Sequence, residues 1–401
     1  MKEIAITEPV FVTTFQCVGS DCREHCCGGW DIYLDKSSVS KYLNSQKIEI
    51  KQIATEHINV HKKGHANWGV MKLNDEGNCA FIDEQKLCKV HKELGAKALS
   101  PTCATYPRAQ NTSKREVSKT LTLSCPEAAR LVLTDLDSMA LQQRTELQKQ
   151  FNSEQEIKDE KKLLNLMCAT LMRQSDIRIE QGLYSVAMLF LMLDKLPAGA
   201  PDNFARLEHV FVSLLQGLES HATENNMQSL QPNVELQWAL MLHLQSFIRQ
   251  RSAARGRNTL GRYIDPLHHF QADITSKEMK AVKLAELDQL WQQRVEPWLA
   301  QRPWVINNYL QYRIYNDAFP GYASRTPLAC LYLLTAEWRL LRAMIALSVL
   351  DRSEPDEQDI INIIYSFHAV TKHNKAIMDI FFQRIDEFKM NDDLSLLCLL
   401  N

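Results

Sequence analysis

Residues 15–30 read FQCVGSDCREHCCGGW and place four cysteines within eleven positions. The loop that carries them is polar and flanked by glycine, so its backbone is able to wrap around a bound centre. Thiolate sulfur is polarizable and binds soft or borderline metals, and four thiolates suit either Zn²⁺ or an iron–sulfur cluster. This stretch therefore predicts a metal site near the start of the chain.

Cysteines are distributed unevenly, with eight of the 11 in the first 125 of 401 residues. The other three, Cys168, Cys330 and Cys398, lie in apolar helical contexts, where free cysteine is usually a small buried hydrophobe. Cytosolic thiols are kept reduced, so clustered cysteines there indicate metal or redox chemistry rather than disulfides. The candidate metal ligands are Cys17, Cys22, Cys26, Cys27, Cys79, Cys88, Cys103 and Cys125.

The cysteine spacing favours an iron–sulfur site over a zinc site. Zinc ribbons usually present two C-x2-C pairs, and no C-x2-C occurs in this chain. Adjacent side chains of an extended segment point apart, so Cys26 and Cys27 are not both expected to bind one metal ion. Zinc remains the alternative metal, and a redox thiol relay or buried packing cysteines are the alternatives without metal.

The chain from residue 126 onward is predicted to be a helical body. Glycine is scarce, at 13 of 401 residues, and apolar residues recur at the helical period. Pro126 stands at the first position of a predicted helix over residues 126–151. We expect a mainly α fold, in which a small cysteine-rich α+β metal module (1–125) precedes a large helical body (126–401) for substrate and cofactor binding.

Short elements are predicted within the module. FVTTF (11–15) is expected to be extended, and two helices are expected between residues 39 and 57. Strand-like segments predict hairpins over 68–83 and 105–125. Histidines at 57, 61 and 65 have the spacing of one helical face, although their polar context favours a solvated loop.

Two polar segments of the body are further candidates. Five arginines between residues 249 and 262 form a basic patch, interpreted as a solvated loop or as a docking surface for an acidic protein. In NNYLQYRIYNDAFPG (307–321), aromatic residues recur at helical spacing, which is typical of packing, while interleaved amides suggest a polar pocket. The substrate-binding candidates are Asn308, Tyr309, Tyr312, Arg313 and Asn316.

Several classes of protein are disfavoured by composition and missing motifs. A net charge of −2 argues against nucleic acid as a partner. No apolar run is long enough to cross a bilayer, and the N-terminus lacks the apolar segment of a signal peptide. We therefore expect a cytoplasmic protein without a membrane partner. No glycine-rich nucleotide loop, P-loop, HExxH or GxSxG occurs.

Five motifs carry a resemblance to a known family. They are F-x-C-x-G-x-D-C-x-x-x-C-C-x-x-W (15–30), N-C-x-F-x (78–82), L-C-x-V-H (87–91), S-P-T-C-x-x-Y-P-R (100–108) and L-S-C-P-E (123–127). From about residue 10 to the C-terminus the chain resembles the flagellin lysine-N-methylase family. Its cysteine pattern is also similar to that of zinc- or iron-chelating domains.

The resemblance implies methyl transfer from S-adenosylmethionine (SAM) to lysine ε-amino groups of flagellin before export. An iron–sulfur cluster, expected to be 4Fe-4S, would then serve SAM, with Arg108 pairing with its carboxylate and Tyr106 and Trp30 beside it. The radical-SAM spacing C-x3-C-x2-C is absent, because Cys27 directly follows Cys26. The alternatives are a non-catalytic iron or zinc carrier and a zinc-stapled interaction protein. The catalytic residues and oligomeric state are left open.

Overall fold

The computed structural model describes residues 2–148, 158–197, 200, 202–251, 254–321, 325–372, 375–389 and 392–400. These residues form eighteen α-helices and seven β-strands. The predicted mainly α fold, with a small α/β region before a helical body, is confirmed. None of the helices in these ranges combines the length and apolar character needed to span a bilayer.

The strands form two small sheets in the first 148 residues. One sheet has its parallel pair at the centre and antiparallel pairs at both edges, and the other is antiparallel. The strands are β1 (Lys2–Pro9), β2 (Tyr33–Leu34), β3 (Ile58–Gly64), β4 (Asn67–Met71), β5 (Arg108–Thr112), β6 (Glu116–Leu121) and β7 (Leu141–Gln148). Their orders are β5–β6–β1–β7 and β2–β4–β3.

Five short helices accompany these strands, and thirteen more build the body. The first five are α1 (Val10–Thr14), α2 (Lys36–Leu43), α3 (Ile48–His57), α4 (Lys89–Leu94) and α5 (Pro101–Thr105). The body contains α6 (Pro126–Thr134), α7 (Asp159–Gln174), α8 (Ile179–Lys195), α9 (Asn203–Glu219), α10 (Ala222–Gln228), α11 (Val234–Arg249), α12 (Arg257–Gln271), α13 (Lys277–Leu290), α14 (Glu296–Ala300), α15 (Trp304–Asn316), α16 (Pro327–Ser348), α17 (Glu357–Thr371) and α18 (Lys375–Phe388).

Most local predictions in the module are confirmed. The helices expected between residues 39 and 57 are α2 and α3, and the hairpin over 105–125 is formed by β5 and β6. Pro126 occupies the start of α6. The strand over 78–83 is replaced by isolated bridges, and the three histidines share no helix face because α3 ends at His57.

Two predicted elements are wrong, and tertiary packing explains both. FVTTF belongs to α1 rather than a strand, since Phe11 is fully buried and the Thr13 and Thr14 hydroxyls donate to the Val10 carbonyl. The helix predicted over 126–151 ends at Thr134. Residues 141–148 form β7 instead, because they pair along the whole of β1 and so satisfy the backbone groups on that side of β1.

The hydrophobic core does not divide at residue 125. A smaller cluster from Ile32 to Ala98 belongs to the module alone. The large core of the body also includes Phe11, Phe15 and Leu121 from the N-terminal region. The boundary after residue 125 stays a prediction, and the packing joins residues on both sides of it.

A network of buried charges lies inside the helical body. Arg313 donates to Glu337 at 2.7 Å and to Asp317 at 3.0 Å, and it also donates to the Tyr309 hydroxyl at 3.2 Å. Lys372 donates to the second oxygen of Glu337, whose side chain is fully buried. Burial, followed by the charge of Arg313, lowers the pKa of Lys372 to about 8. Glu337 therefore compensates two buried cations.

We predict that Glu337→Gln strongly destabilises the protein. Removing one partner of a buried ion pair leaves uncompensated charge and costs about 3–5 kcal/mol. The partly exposed pair between Lys283 and Glu286 provides the control, because losing a solvent-accessible pair costs about 0–1 kcal/mol. Urea unfolding followed by tryptophan fluorescence measures both variants. Equal losses in Glu337→Gln and Glu286→Gln would contradict a special role for the buried network.

Candidate metal centre

All eight candidate cysteines line one cavity of about 410 Å³. Each of them is a free thiol. They come from five separate stretches between residues 17 and 125, so the fold brings together residues that are distant in sequence. The fold therefore meets the geometric condition for a shared site, and metal binding by these cysteines stays a prediction.

Backbone hydrogen bonds hold two cysteine loops against each other. The Cys79 N–H donates to the Cys27 carbonyl at 2.8 Å, and Gly28 forms an isolated bridge with Asn78. A second bridge joins Ile82 to Cys88. Backbone pairing thus brings cysteines that are far apart in the sequence close together in space.

Three cysteines of the cavity stand at helix N-termini. Cys88 is the N-cap of α4, Cys125 is the N-cap of α6, and Cys103 lies in the first turn of α5. Backbone N–H groups at such ends are free to donate to a thiolate and carry partial positive charge. The Ala128 and Glu127 amides act in this way on Cys125.

Burial controls the protonation of most of these thiols. It raises the pKa of Cys79 to about 12 and the pKa values of Cys103 and Cys125 to about 11. Cys26 differs, because a hydrogen bond with Cys27 lowers its pKa to about 6 while raising that of Cys27. Since metals bind thiolates, loading this cavity should release protons.

The contact between Cys26 and Cys27 corrects an expectation. Their side chains were expected to point apart, as in an extended segment, but the chain bends at both residues and the two sulfurs are hydrogen-bonded. The argument that they cannot serve one centre therefore loses its basis.

The donor set fits a thiolate-ligated centre, although no single-ion site is preformed. Thiolates around one zinc ion lie roughly 3.8 Å apart, given a Zn–S distance of about 2.3 Å. In the part of the chain that the structure describes, no three His, Cys, Asp or Glu side chains are arranged to hold one metal ion. Eight sulfurs around one cavity nevertheless supply the ligand chemistry that iron–sulfur clusters use.

Two of the cofactor-binding candidates, Trp30 and Tyr106, line the same cavity, and their role toward a cofactor stays a prediction. Their ring centroids are 6.0 Å apart, and the Trp30 indole N–H donates to the Cys26 carbonyl at 2.8 Å. The Tyr106 hydroxyl is hydrogen-bonded with Ser124 at 3.1 Å. These two aromatic rings therefore form a fixed wall beside the thiols.

Arg108 does not line the cavity. Its side chain is exposed and its guanidinium lies 5.4 Å from the centroid of the Phe15 ring. The guanidinium inside the cavity belongs to Arg255, which the sequence placed in a basic surface patch. The role of Arg108 toward a cofactor stays a prediction. The arginine that lines the cavity is Arg255.

Arg255 is 5% exposed and reaches the cysteine loop from the segment between α11 and α12. It donates to the carbonyls of His25 at 3.0 Å, Ser124 at 2.8 Å and Glu24 at 2.8 Å. It also donates to the Tyr106 hydroxyl at 2.7 Å. The helical body thus contributes one wall of a cavity that the sequence assigned to the module.

Two glycines make this approach possible. Gly256 has φ +81°, a conformation that favours glycine, and its N–H donates to the Glu24 carboxylate at 2.6 Å. Gly29 has φ +72°, and a Cβ there would lie 2.5 Å from the Arg255 nitrogen. In the sequence, the sign of this turn is that Arg255 is followed directly by Gly256.

The five substrate-binding candidates lie outside the cavity lining. Asn308 donates to the carbonyls of Val132 at 3.2 Å and Asp135 at 2.9 Å, which fixes the end of α6. Tyr309 and Arg313 belong to the buried charge network described above. Tyr312 packs edge-on against Phe11, and the half-buried Asn316 donates to Asp317. These contacts are structural, and the assignment to substrate binding stays a prediction.

We predict that Gly29→Ala disrupts the contact with Arg255. The new Cβ would overlap the Arg255 backbone, and the positive φ would add strain. The free energy of unfolding should therefore fall by an amount on the order of 3 kcal/mol. Gly77→Ala separates the two effects, because Gly77 has φ +78° with open space around it and should lose about 1 kcal/mol. Thermal unfolding measures both, and equal losses would rule out the steric contact as the cause.

Comparisons with known proteins agree with the resemblance in the sequence. The family model of the FliB lysine N-methylase C-terminal domain matches residues 165–399. Over 403 residues, covering 100% of both chains, the protein is 36% identical to a Lysine-N-methylase of Salmonella typhimurium. It is 53% identical over 142 residues to the flagellar biosynthetic protein FliU of Salmonella muenchen, covering 35% of this chain and 84% of that protein. No solved structure matches the chain. The chain therefore belongs to the FliB lysine N-methylase family.

Proposed function

We propose that this protein transfers methyl groups from SAM to lysine ε-amino groups of flagellin in the cytoplasm. The full-length relative from Salmonella typhimurium is named a Lysine-N-methylase, which supports lysine as the acceptor. The relatives named flagellar biosynthetic proteins support a flagellar protein as the substrate. A thiolate-ligated iron–sulfur centre completes the proposal.

One observation carries the proposal: the eight cysteines, Trp30, Tyr106 and Arg255 line the same cavity. Ligands for the centre would come from the eight cysteine sulfurs. When bound, such a centre supplies Lewis-acid or redox chemistry next to the methyl donor. The two aromatic rings would attract the sulfonium cation of SAM through their faces.

The cavity also suits the acceptor amine. A lysine ammonium has a reference pKa of about 10.4 and must lose a proton before it accepts a methyl group. A mostly apolar wall that includes Ile32, Phe81 and Leu99 would disfavour the charged form. Desolvation and alignment with the methyl donor would then be the contributions of the protein to transfer.

The metal content of the protein provides the first test. Protein purified anaerobically and reconstituted with iron and sulfide should contain both in similar amounts, because the thiols of the cavity are soft ligands. Cys22→Ser and Cys26→Ser should lose most of this iron. Cys168→Ser is the matched control, since Cys168 is fully buried in the core of the body and should cost only on the order of 1 kcal/mol of stability.

Colourless protein with stoichiometric zinc would contradict the iron–sulfur proposal. Equal iron loss in Cys168→Ser and Cys22→Ser would show that general unfolding, rather than ligand loss, removes the iron.

Methyl transfer provides the second test. Reduced, iron-loaded protein given SAM should methylate flagellin lysines, measured by mass spectrometry of the tryptic peptides. Iron-free protein with the same helical content should be inactive if the centre serves SAM. Equal rates with and without iron would make the centre a structural element. Failure to bind SAM at all would favour a metal carrier over an enzyme.

A further inference from the structure

Arg255 is a buried cation without a carboxylate partner. All four of its hydrogen bonds go to uncharged acceptors, namely three carbonyls and the Tyr106 hydroxyl. The Glu24 carboxylate lies near enough for its charge to act on Arg255, but it forms no hydrogen bond with the guanidinium and accepts from the Gly256 N–H instead. Among the described residues, Arg255 forms no ion pair, although it is 5% exposed.

Such an arrangement is costly unless an anion faces the guanidinium. Buried charges in proteins are normally paired, because desolvation without compensation costs several kcal/mol in order of magnitude. Arg255 lies close enough to Cys22, Cys26 and Cys125 for its charge to act on all three sulfurs. Thiolates that bind a metal centre would add negative charge on the side of the cavity that the guanidinium faces.

The position of this charge is fixed. The carbonyls of Glu24 and His25 that hold Arg255 belong to the loop between Cys22 and Cys26, so the guanidinium and the thiols are held in the same short segment. The Tyr106 hydroxyl and the Ser124 carbonyl hold it from the opposite side. A side chain with four such bonds cannot turn toward solvent without losing all of them.

We propose that Arg255 is the counter-charge of the thiolate-bound centre, a positioning residue of the helical body that raises the reduction potential of that centre. The inference rests on the proposed iron–sulfur function. Reduction adds negative charge to the centre, and a fixed positive group nearby stabilises the reduced form. Loss of the Arg255 charge should therefore move the potential to more negative values.

Glu24 should have the opposite effect. Its carboxylate lines the same cavity, and one of its oxygens is buried without a hydrogen-bond partner. Glu24→Gln keeps an oxygen to accept from the Gly256 N–H but removes a negative charge. The potential of the centre should therefore rise in this variant.

The experiment is a redox titration of the reconstituted protein, followed by visible and electron paramagnetic resonance spectra, with iron content measured on each sample. Arg255→Gln should shift the midpoint potential negative and Glu24→Gln should shift it positive. Arg255→Lys retains the charge and should stay close to the wild type. Arg249→Gln is the matched control, because Arg249 at the end of α11 pairs with the partly exposed Asp265 outside the cavity and should cause no shift.

Each outcome decides the proposal. Shifts of opposite sign in Arg255→Gln and Glu24→Gln at wild-type iron content support it. Unchanged potentials at full iron content overturn it while leaving the iron–sulfur centre in place. If Arg255→Gln takes up no iron, the midpoint potential of Glu24→Gln decides: a positive shift supports the proposal, and a negative shift or no shift overturns it. If the wild-type protein takes up no iron and sulfide, the proposed centre and this inference fail together.

Discussion

The guanidinium of Arg255 joins the N-terminal cysteine loops to the helical body, and the geometry of the candidate site depends on it. Its bonds to the carbonyls of Glu24, His25 and Ser124 connect segments that are more than 100 residues apart in sequence. The matched C-terminal domain, residues 165–399, contains Arg255 but none of the eight cysteines. The site is therefore shared between the two parts of the chain, since neither part forms the whole cavity.

Helix α17 connects this junction to the buried charge network. Gly256 packs against Ser366 and Ala369 of α17, so closely that a Cβ at Gly256 would lie 2.9 Å from the Ala369 side chain. Three residues beyond Ala369, Lys372 follows the end of the same helix and donates to Glu337. The C-terminal end of α17, which supports the Arg255 turn, is thus also held by an ion pair with the buried Glu337 carboxylate. Removing one partner of such a pair is costly, because it leaves a buried charge without compensation.

The chemistry of the cavity follows from burial and charge acting in opposite directions. Desolvation raises the pKa of Cys79, Cys103 and Cys125 and so favours the neutral thiol, whereas at Cys125 the Ala128 and Glu127 amides and the charge of Arg255 favour the thiolate. A metal centre that takes the place of the thiol protons would resolve this opposition, because it neutralises the sulfur charge within the apolar wall. The aromatic pair of Trp30 and Tyr106 lines the same cavity beside the thiols.

The sequence by itself determined the fold class, the eight cysteines of the cavity, the aromatic wall and the family, because ligand chemistry and helical periodicity are local properties of residue type and spacing. Only the tertiary structure decided which cation enters the site. Arg108 belongs to the S-P-T-C-x-x-Y-P-R motif but stays on the surface, whereas Arg255 lies 130 residues beyond Cys125 in the chain. Likewise, Leu141–Gln148 has a helical composition but becomes a strand because β1 offers unpaired backbone groups along its length. Long-range strand pairing and burial decided the place of Arg255 and the conformation of Leu141–Gln148. Neither effect can be recognised from the residues adjacent in the sequence.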